Sequence, residues 1–363
     1  MDLQKLDQML AAAGQPRFRA RQVWAWAARG VGGYGEMTDI PGELREQLER
    51  ELPFSSLALR EEALSSDGTV KALFATADGR AIEAVLMRFK DGRRSICVSS
   101  QSGCPLTCSF CATGAMRFAR NLTASEILDQ ALHFRRTEAI DHCVFMGMGE
   151  PMLNLDAVLE ACERLPEIGI THRRTTISTV GWIPGIERLA ESEMPIRLAL
   201  SLHAADPALR SELMPVNDRY PLPDVLDACR AFYERKRRRV FVEYVMLAGV
   251  NDRYEQALQL AQALMRASRR AGGDRPGLTQ SIFKVNLIPY NPSDAEGDAK
   301  SQPRFEGSSR ESIAAFRSAL EAQGVPVTVR LTRGRDIAAA CGQLAAISAG
   351  SGERQLDGAA APR

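Results

Sequence analysis

The sequence contains no long apolar run and no secretory leader. A transmembrane helix needs roughly 20 consecutive apolar residues, and no stretch of the 363 residues approaches that length. The amino terminus, MDLQKLDQMLAAAG, alternates charged and apolar residues at helical spacing and lacks the apolar core of a signal peptide. The composition, with 45% hydrophobic and 25% charged residues, is that of an ordinary globular protein. We therefore expect a cytoplasmic protein without a membrane segment.

The sequence also has few cysteines and a net charge close to zero. Eight cysteines in 363 residues are too few for a disulfide scaffold, and thiols clustered in a reducing compartment favour metal or redox chemistry. The net charge of +1 does not by itself indicate or exclude nucleic acid, because an even total can hide strongly basic faces. An argument for RNA binding must therefore rest on local patches.

Three cysteines, Cys104, Cys108 and Cys111, stand within eight residues in the pattern C-x3-C-x2-C. Tetrahedral zinc requires a fourth Cys or His, and the nearest downstream histidine, His133, falls on a predicted helix. Three thiolates instead suit an iron–sulfur cluster that leaves one iron open for a small molecule. The pattern, with Phe110 before the last cysteine, resembles the signature of radical S-adenosylmethionine (SAM) enzymes, which cleave SAM to a radical. Buried structural cysteines, or a zinc knuckle completed by a distant ligand, are the alternatives.

Two small units are predicted before this motif. Residues 1–53 contain three short amphipathic segments that predict a helical, RNA-binding module, with helices over 2–13, 20–29 and 42–51. Residues 54–94 alternate apolar and polar positions between Asp-Gly turns, which predicts an antiparallel β extension. The strands predicted here and at the start of the next unit cover 57–60, 70–75, 82–87 and 95–98.

The pattern in the remainder of the sequence predicts an incomplete α/β barrel. Apolar strands alternate with helical stretches, as in a parallel sheet with crossover helices, over 141–146, 175–178, 196–201, 240–246, 283–288 and 325–329. About six such repeats over residues 95–349 suit a partial (β/α)6 barrel with its chemistry at the carboxyl ends of the strands. Residues 291–310 predict a mobile loop and residues 350–363 a disordered tail.

Further candidate site residues follow the predicted strands. In the string MGMGEP, Gly149 lets the backbone approach a ligand closely and Glu150 adds a carboxylate, whereas the three spaced glycines of a dinucleotide fold are absent. This string is similar to the glycine–glutamate element by which radical SAM enzymes hold the amino group of SAM. Other polar positions at or past strand ends suit contacts with ribose, carboxylate or adenine: Ser178, the segment Ser201, Leu202 and His203, and Asn291. For His203, a purely structural role is the alternative.

Seven ordered segments extend the resemblance over nearly the whole chain. They are CVSSQSGCPLTCSFCATG, VFMGMGEPMLN, ISTVGWIP, ALSLHA, VEYVMLAGVND, KVNLIPYNP and RGRDIAAACGQL. Together they resemble the RlmN and Cfr family of radical SAM methyltransferases, which methylate a ring carbon of adenine in RNA. The resemblance implies a 4Fe-4S cluster on Cys104, Cys108 and Cys111, with SAM on its open iron. Cys143, Cys162 and Cys229 fall in regular apolar patterns and are predicted to be packing residues.

The resemblance also implies roles for two lone cysteines and a carboxylate. Cys341 would receive a methyl group from one SAM, and a second SAM would supply the radical that activates this group toward adenine, so that two SAM are used per turnover. Cys97 would form a disulfide with Cys341 and release the methylated RNA. Glu83 matches an acidic residue proposed as proton acceptor in the family, and Cys97 is the other candidate acceptor. The alternative for Glu83 is an ordinary surface carboxylate.

The implied partners are RNA and an electron donor. The substrate would be 23S rRNA at the peptidyl transferase loop, and in many family members also a tRNA adenine beside the anticodon. The implied donor is a low-potential protein such as flavodoxin or ferredoxin, and we expect a monomer. Basic runs that could bind phosphate are 235–239, Arg266 with Arg269 and Arg270, and Arg17, Arg19 and Arg21 beside Trp24 and Trp26. Trp24 packing inward is the alternative to stacking on a base.

Two other functions remain open at this point. A carbon-8 adenine methyltransferase, a resistance determinant, would use the same thiols; carbon 2 is favoured only because the housekeeping group is commoner. A non-catalytic iron–sulfur or zinc module that binds RNA would explain the clustered cysteines but would leave Cys97, Cys341 and the glycine–glutamate element without a role.

Overall fold

The structure is a computed structural model, which describes residues 1–271, 281–292 and 305–345. The tail predicted over 350–363 lies outside the described residues, as do residues 293–304 of the loop predicted over 291–310. No helix within the described ranges is long and apolar enough to cross a membrane.

Three helices open the chain, as predicted: α1 (Leu3–Ala12), α2 (Phe18–Arg29) and α3 (Gly42–Glu51). The carboxylate of Asp2 caps α1 by accepting the Lys5 N–H at 3.0 Å. Trp24 of α2 is 2% exposed and donates its indole N–H to Glu167, so the alternative that Trp24 packs inward is confirmed. Trp26 is half-buried, whereas Phe18 is 48% exposed with the Arg19 guanidinium 4.9 Å from its ring centroid.

The strands form one ten-stranded sheet and a separate hairpin. Their bounds are β1 (Leu57–Leu64), β2 (Val70–Thr76), β3 (Ala81–Arg88), β4 (Arg94–Cys97), β5 (Gln101–Ser102), β6 (Arg120–Asn121), β7 (His142–Phe145), β8 (Thr175–Thr179), β9 (Arg197–Ser201), β10 (Val240–Met246), β11 (Phe283–Pro289) and β12 (Val327–Val329). The order in the large sheet is β1-β2-β3-β4-β7-β8-β9-β10-β11-β12. All ten strands of this sheet were predicted from the sequence, whereas the two-residue strands β5 and β6 were not.

The sheet changes direction at β4. Strands β1 to β4 pair antiparallel, and β4 then pairs parallel with β7, beginning a parallel run that continues to β12. The antiparallel extension and the partial barrel are therefore one continuous sheet that does not close among the described strands. The parallel run brings the carboxyl ends of its strands to one edge, where loops can carry functional groups.

Helices connect the successive parallel strands. They are α4 (Ala124–Arg135), α5 (Leu155–Ile168), α6 (Ile183–Glu191), α7 (Pro207–Leu213), α8 (Leu222–Lys236), α9 (Tyr254–Ala271) and α10 (Arg310–Ala322). A reciprocal capping box of Thr123 and Glu126 starts α4. Helix α5 continues through Pro166. Proline cannot donate to the carbonyl four residues earlier, and that Cys162 carbonyl instead lies 3.1 Å from His172 Nε2.

Alternation along each parallel strand divides the side chains between two environments. Val240, Val242 and Tyr244 of β10 are buried in the core between sheet and helices, while Phe241, Glu243 and Val245 line cavities inside the barrel. The period of two in strand side chains produces this division. The barrel interior is therefore a space lined by polar as well as apolar groups. The three cysteines predicted to be packing residues, Cys143, Cys162 and Cys229, are buried in the core.

Candidate active site

The cysteine motif lies on a loop closed by the β5–β6 hairpin. Gln101 pairs with Asn121 and Ser102 with Arg120 across the base of the loop. Gly103 begins the loop with φ +74°, and a Cβ at this position would lie 2.3 Å from the Arg117 carbonyl oxygen. Only glycine combines this left-handed conformation with so close a backbone approach. Gly103 therefore allows the loop to fold back over the carboxyl end of the sheet.

The three thiols of the loop affect one another's protonation. Burial raises the pKa of Cys104 to about 12 and raises those of Cys108 and Cys111 as well. The charges of Cys111 and Cys104 raise the pKa of Cys108 further, which requires the three groups to be close. No group of three His, Cys, Asp or Glu side chains in the described part of the chain is arranged to hold a metal ion. Neighbouring thiols of this kind are nonetheless the soft donors that iron–sulfur clusters use, because a bound cation displaces their protons.

A first cavity of about 780 Å³ opens beside this loop at the carboxyl ends of the parallel strands. Seven of the residues proposed from the sequence line it: Cys111, Gly149, Glu150, Ser178, Ser201, His203 and Cys341. Gly149 has φ +97°, and a Cβ there would lie 2.5 Å from the Gln101 side chain. The Oγ atoms of Ser178 and Ser201, on neighbouring strands, are 3.3 Å apart. The cavity therefore combines close backbone approach, hydroxyl groups and a carboxylate, as a small polar ligand requires.

Glu150 is held rigidly in the wall of this cavity. Its Oε2 accepts the Val180 N–H at 2.9 Å, and its Oε1 accepts the Met152 N–H at 3.0 Å. Burial raises the pKa of Glu150 to about 7, although these backbone donors oppose the shift. Each carboxylate oxygen has a second lone pair, so the oriented group can also accept from a ligand cation.

His203 is both structural and part of the cavity wall. Its Nδ1 accepts the Val245 N–H at 3.0 Å, and its carbonyl accepts from Asn251 Nδ2 at 2.8 Å. Burial lowers the pKa of His203 to about 3, and the Arg210 charge adds to this effect. The imidazole is therefore neutral, and because Nδ1 is an acceptor, Nε2 carries the proton. The imidazole ring packs edge-to-face against the Phe110 ring, with 4.6 Å between the ring centroids.

Two proposed ligand contacts lie outside the first cavity. The Leu202 side chain is fully buried in the core, and its N–H donates to the Glu243 carbonyl at 3.0 Å, so this side chain does not face a ligand. Asn291 lines a second, larger cavity. Its Nδ2 donates to the Pro289 carbonyl at 3.1 Å, while its Oδ1 is buried without a hydrogen-bond partner in the described structure.

Both lone cysteines line the second cavity. Cys341 is exposed and lines both cavities, whereas Cys97 is buried at the end of β4 and lines the second. Burial raises the pKa of Cys97 to about 12, and the charge of Cys341 contributes in the same direction. The structure therefore brings together two thiols that are 244 residues apart in the sequence (341 − 97).

Arg330 was not identified from the sequence, yet it is central to the geometry. Its Nη1 lies 3.9 Å from Cys341 Sγ, 3.6 Å from Met146 Sδ and 3.4 Å from Glu243 Oε2. The charge of Glu243 raises the pKa of Arg330, and the Arg330 charge in turn lowers that of Cys97 against the effect of burial. Glu243 Oε1 accepts from Asn286 Nδ2 at 2.8 Å. The guanidinium is thus a fixed cation beside both thiols.

Glu83 lies in the protein interior, so the alternative of an ordinary surface carboxylate is wrong. Its Oε1 lies 3.0 Å from Lys71 Nζ, and its Oε2 accepts the Ala345 N–H at 2.9 Å. Lys71 Nζ also donates to the Ala338 carbonyl at 3.4 Å. This buried ion pair therefore binds the loop that carries Cys341 at two points, Ala338 before the thiol and Ala345 after it.

The same loop, which has no strand or α-helix between Arg330 and Ala345, has two further attachments. The Gly342 carbonyl accepts the Ala112 N–H at 2.8 Å, which joins the loop to the cysteine motif. At the opposite end, the Gly334 N–H donates to Asp67 at 3.1 Å and Asp336 accepts from Ser65 Oγ at 2.5 Å. These contacts fix the position of Cys341 relative to the cysteine loop and to the β1–β2 turn.

Comparisons with known proteins agree with these features. Residues 98–261 match the family model of the radical SAM superfamily, and residues 1–52 match that of the ribosomal RNA large subunit methyltransferase N-terminal domain. The chain is 43% identical to the probable dual-specificity RNA methyltransferase RlmN of Chloroflexus aurantiacus, over 95% of this chain and 91% of that one. It is 40% identical to the dual-specificity RNA methyltransferase RlmN of Geobacter sulfurreducens, with coverages of 95% and 90%. The crystal structure of a radical SAM methyltransferase from Sphaerobacter thermophilus superposes with a TM-score of 0.85 at 42% identity, over 96% of this chain and 98% of that one.

The attachment of the Cys341 loop by Lys71 and Glu83 can be tested with Lys71→Met. Removing one partner of a buried ion pair costs about 3 to 5 kcal/mol, and we expect much of this loss to fall on the loop. Amide hydrogen exchange at residues 338–345 should accelerate by about 100-fold, which corresponds to about 2.7 kcal/mol. Lys90→Met, which replaces an exposed lysine, is the control. Unchanged exchange in Lys71→Met would contradict the attachment.

Proposed function

This chain belongs to the RlmN family of radical SAM RNA methyltransferases, and we propose that it methylates carbon 2 of an adenine in RNA. The observation that carries the proposal is the position of Cys341, an exposed thiol on the wall between two cavities with Cys97 and Arg330 beside it. A non-catalytic RNA-binding module is excluded by the family. The proposed substrates are 23S rRNA at the peptidyl transferase loop and a tRNA adenine next to the anticodon, since curated relatives are named dual-specificity enzymes.

Membership of the radical SAM superfamily implies a 4Fe-4S cluster and SAM. We assign the cluster to Cys104, Cys108 and Cys111, whose thiols interact beside the first cavity. With three protein ligands, one iron stays available to SAM. When bound, the cluster and SAM supply a radical that abstracts hydrogen. A low-potential donor such as flavodoxin or ferredoxin would provide the electron, and we propose that the chain acts as a monomer.

The first cavity is the proposed SAM site. Glu150 presents an oriented carboxylate for the ammonium group of SAM. Ser178 and Ser201 offer hydroxyl groups on adjacent strands, and the neutral His203 offers a donor at Nε2. The peptide at Gly149 allows the ligand to lie against the backbone. Asn291, with its unpartnered Oδ1 in the second cavity, is reassigned to the RNA side of the site.

Cys341 is the proposed carrier of the carbon atom. Its thiolate would take the methyl group of one SAM by displacement, and the second SAM of the turnover would activate that group for bond formation with the adenine. A protein-bound carrier answers a chemical difficulty, since a ring carbon of adenine is too weakly nucleophilic to attack a methyl sulfonium directly. Arg330 Nη1 lies 3.9 Å from Cys341 Sγ and so places a positive charge beside the sulfur that accepts the methyl group.

Cys97 is the proposed releasing thiol. Attack by the Cys97 thiolate on the Cys341 sulfur would form an S–S bond while the bond from sulfur to the transferred carbon breaks; the electron pair of that bond would pass to the carbon, which takes up a proton to become the methyl group of the product. Burial keeps Cys97 protonated, which delays this attack, and Arg330 provides the charge that favours its ionisation. Glu83 lines neither cavity and is already bound to Lys71 and Ala345. These contacts favour a positioning role for Glu83.

The function is tested by product analysis. The anaerobically reconstituted protein is incubated with SAM, a reductant and a tRNA or 23S rRNA fragment, and the RNA is digested for mass spectrometry. We expect 2-methyladenosine together with 5′-deoxyadenosine. Formation of 8-methyladenosine would identify the carbon-8 alternative instead, and 5′-deoxyadenosine without any methylated adenine would contradict both.

The two lone cysteines are expected to fail in different ways. In Cys97→Ala the carrier remains but release is blocked, so an RNA adduct on Cys341 should accumulate. In Cys341→Ala no carbon can be transferred and no adduct can form. Denaturing electrophoresis with and without nuclease detects such adducts. An equal band in both variants, or normal turnover by Cys97→Ala, would refute the assigned roles.

The raised pKa of Glu150 predicts that SAM binding depends on pH. Below about pH 7 the free carboxyl is protonated and must lose its proton to accept from the ammonium group. Affinity should therefore weaken by up to about tenfold for each unit of pH below 7, as measured by calorimetry on cluster-loaded protein from pH 5.5 to 7.5. Glu150→Gln should bind weakly at every pH, while Glu160→Gln, at an exposed position of α5, should retain the wild-type profile. A flat wild-type profile would remove Glu150 from the SAM site.

A further inference from the structure

The second cavity extends through the barrel from one end to the other. It has a volume of about 1690 Å³ and shares a wall with the first cavity, formed by Met146, Glu243, Ile288, Arg330 and Cys341. From this wall it reaches residues at the amino ends of the parallel strands, among them His142, Arg197, Phe241 and Lys284. The second cavity is about twice as large as the first.

The cavity is strongly basic. Six cations line it, namely Arg93, Arg174, Arg197, Lys284, Arg330 and Arg333, while Glu243 is the one carboxylate among the lining residues that the structure describes. A low-dielectric channel lined by charges of one sign concentrates ligands of the opposite sign. The lining therefore favours an anionic ligand.

Four of these cations already have carboxylate partners. Arg93 pairs with Asp91, Arg174 with Asp141, Arg330 with Glu243 and Arg333 with Asp67, at 2.8, 4.0, 3.4 and 3.9 Å. Arg197 and Lys284 differ, because neither forms an ion pair with any carboxylate in the described ranges. Arg197 is half-buried, with its guanidinium 5.9 Å from the centroid of the Phe241 ring. Two cations at the amino end of the barrel are thus available to an external anion.

More positive charge surrounds this opening. Burial and the nearby charges of Arg197 and Arg173 lower the pKa of Arg238, which places the three guanidinium groups close together. Arg238 is fixed there by donating to the Pro195 carbonyl at 2.6 Å and the Arg173 carbonyl at 3.3 Å. We call Arg173, Arg174, Arg197, Arg238 and Lys284 the basic mouth. The basic run 235–239, noted in the sequence, therefore contributes to the opening of the cavity through Arg238.

We propose that single-stranded RNA enters the barrel through the basic mouth, where Arg197 and Lys284 bind its phosphates, so that the target adenine reaches Cys341 from the side opposite SAM. The inference rests on the proposed function. If SAM occupies the first cavity, the base must approach the shared wall through the second. A target base must also leave its stack to reach an enclosed group, and Phe241 offers the cavity a ring on which a base can stack.

The test measures RNA binding by Arg197→Gln, Lys284→Gln and the double variant, using fluorescence anisotropy with a labelled tRNA anticodon stem-loop between 50 and 200 mM salt. Affinity for RNA falls as the salt concentration rises. Each lost phosphate contact should reduce the magnitude of the slope of log affinity against log salt concentration by about 0.7 to 0.9. In the double variant the magnitude of this slope should fall by about twice as much. The double variant should also methylate the stem-loop at least tenfold more slowly at limiting RNA. Thermal unfolding midpoints verify that the variants are folded.

Matched variants make the result specific. Arg197→Lys and Lys284→Arg keep the charge and should keep the wild-type slope. Arg188→Gln removes an exposed arginine that pairs with Asp156 on the outer helices and should bind RNA like wild type. A wild-type slope in the double variant, or an equal loss in Arg188→Gln, would overturn the proposed route.

Two further outcomes are distinguishable. If inorganic phosphate at constant ionic strength binds the wild type but not the double variant, while RNA binding is unchanged between them, the mouth is a small-anion site and the proposal is overturned. If wild-type protein methylates no adenine, the proposed function itself fails. If the wild type methylates and the double variant matches it, only the access route fails.

Discussion

The site depends on holding an irregular loop at the junction of two cavities. Cys341 lies between Arg330 and Ala345, a segment without the hydrogen bonds of a strand or α-helix, so its position must come from contacts with other elements. The buried pair of Lys71 and Glu83 supplies them on both sides of the thiol, and the Ala112 N–H binds the Gly342 carbonyl. The antiparallel extension is therefore part of the active site, because β2 and β3 carry the ion pair.

Electrostatics explain how two thiols of the same chemical type can have different roles. Cys97 is buried and its pKa is raised, whereas Cys341 is exposed with the Arg330 guanidinium 3.9 Å away. Glu243 and Asn286 hold that guanidinium in place from the neighbouring strands β10 and β11. A single fixed cation thus lies beside both thiols, and burial raises the pKa of Cys97 against the effect of that cation.

The two cavities of the partial barrel differ in the charge of their lining as well as in position. At the carboxyl ends of the strands, Glu150 and the hydroxyl groups of Ser178 and Ser201 suit a small zwitterion. At the amino ends, Arg197 and Lys284, which pair with no carboxylate in the described ranges, suit a polyanion. One parallel sheet produces both environments, since alternate residues of each strand face the same interior. The shared wall at Cys341 is where the two ligands can meet.

The sequence by itself determined the strands of the large sheet, the family and seven residues of the first cavity, because hydrophobic periodicity and the cysteine, glycine and glutamate motifs are local in the chain. It could not determine that Trp24 packs inward, that Glu83 is buried with Lys71, or that Asn291 lines the second cavity, since burial and pairing depend on residues distant in sequence. Arg330 belongs to no recognisable sequence motif, and the residues of the basic mouth are spread along the chain from position 173 to position 284. Only the tertiary structure could reveal these groups, because strand register and loop packing decide which charges lie close together.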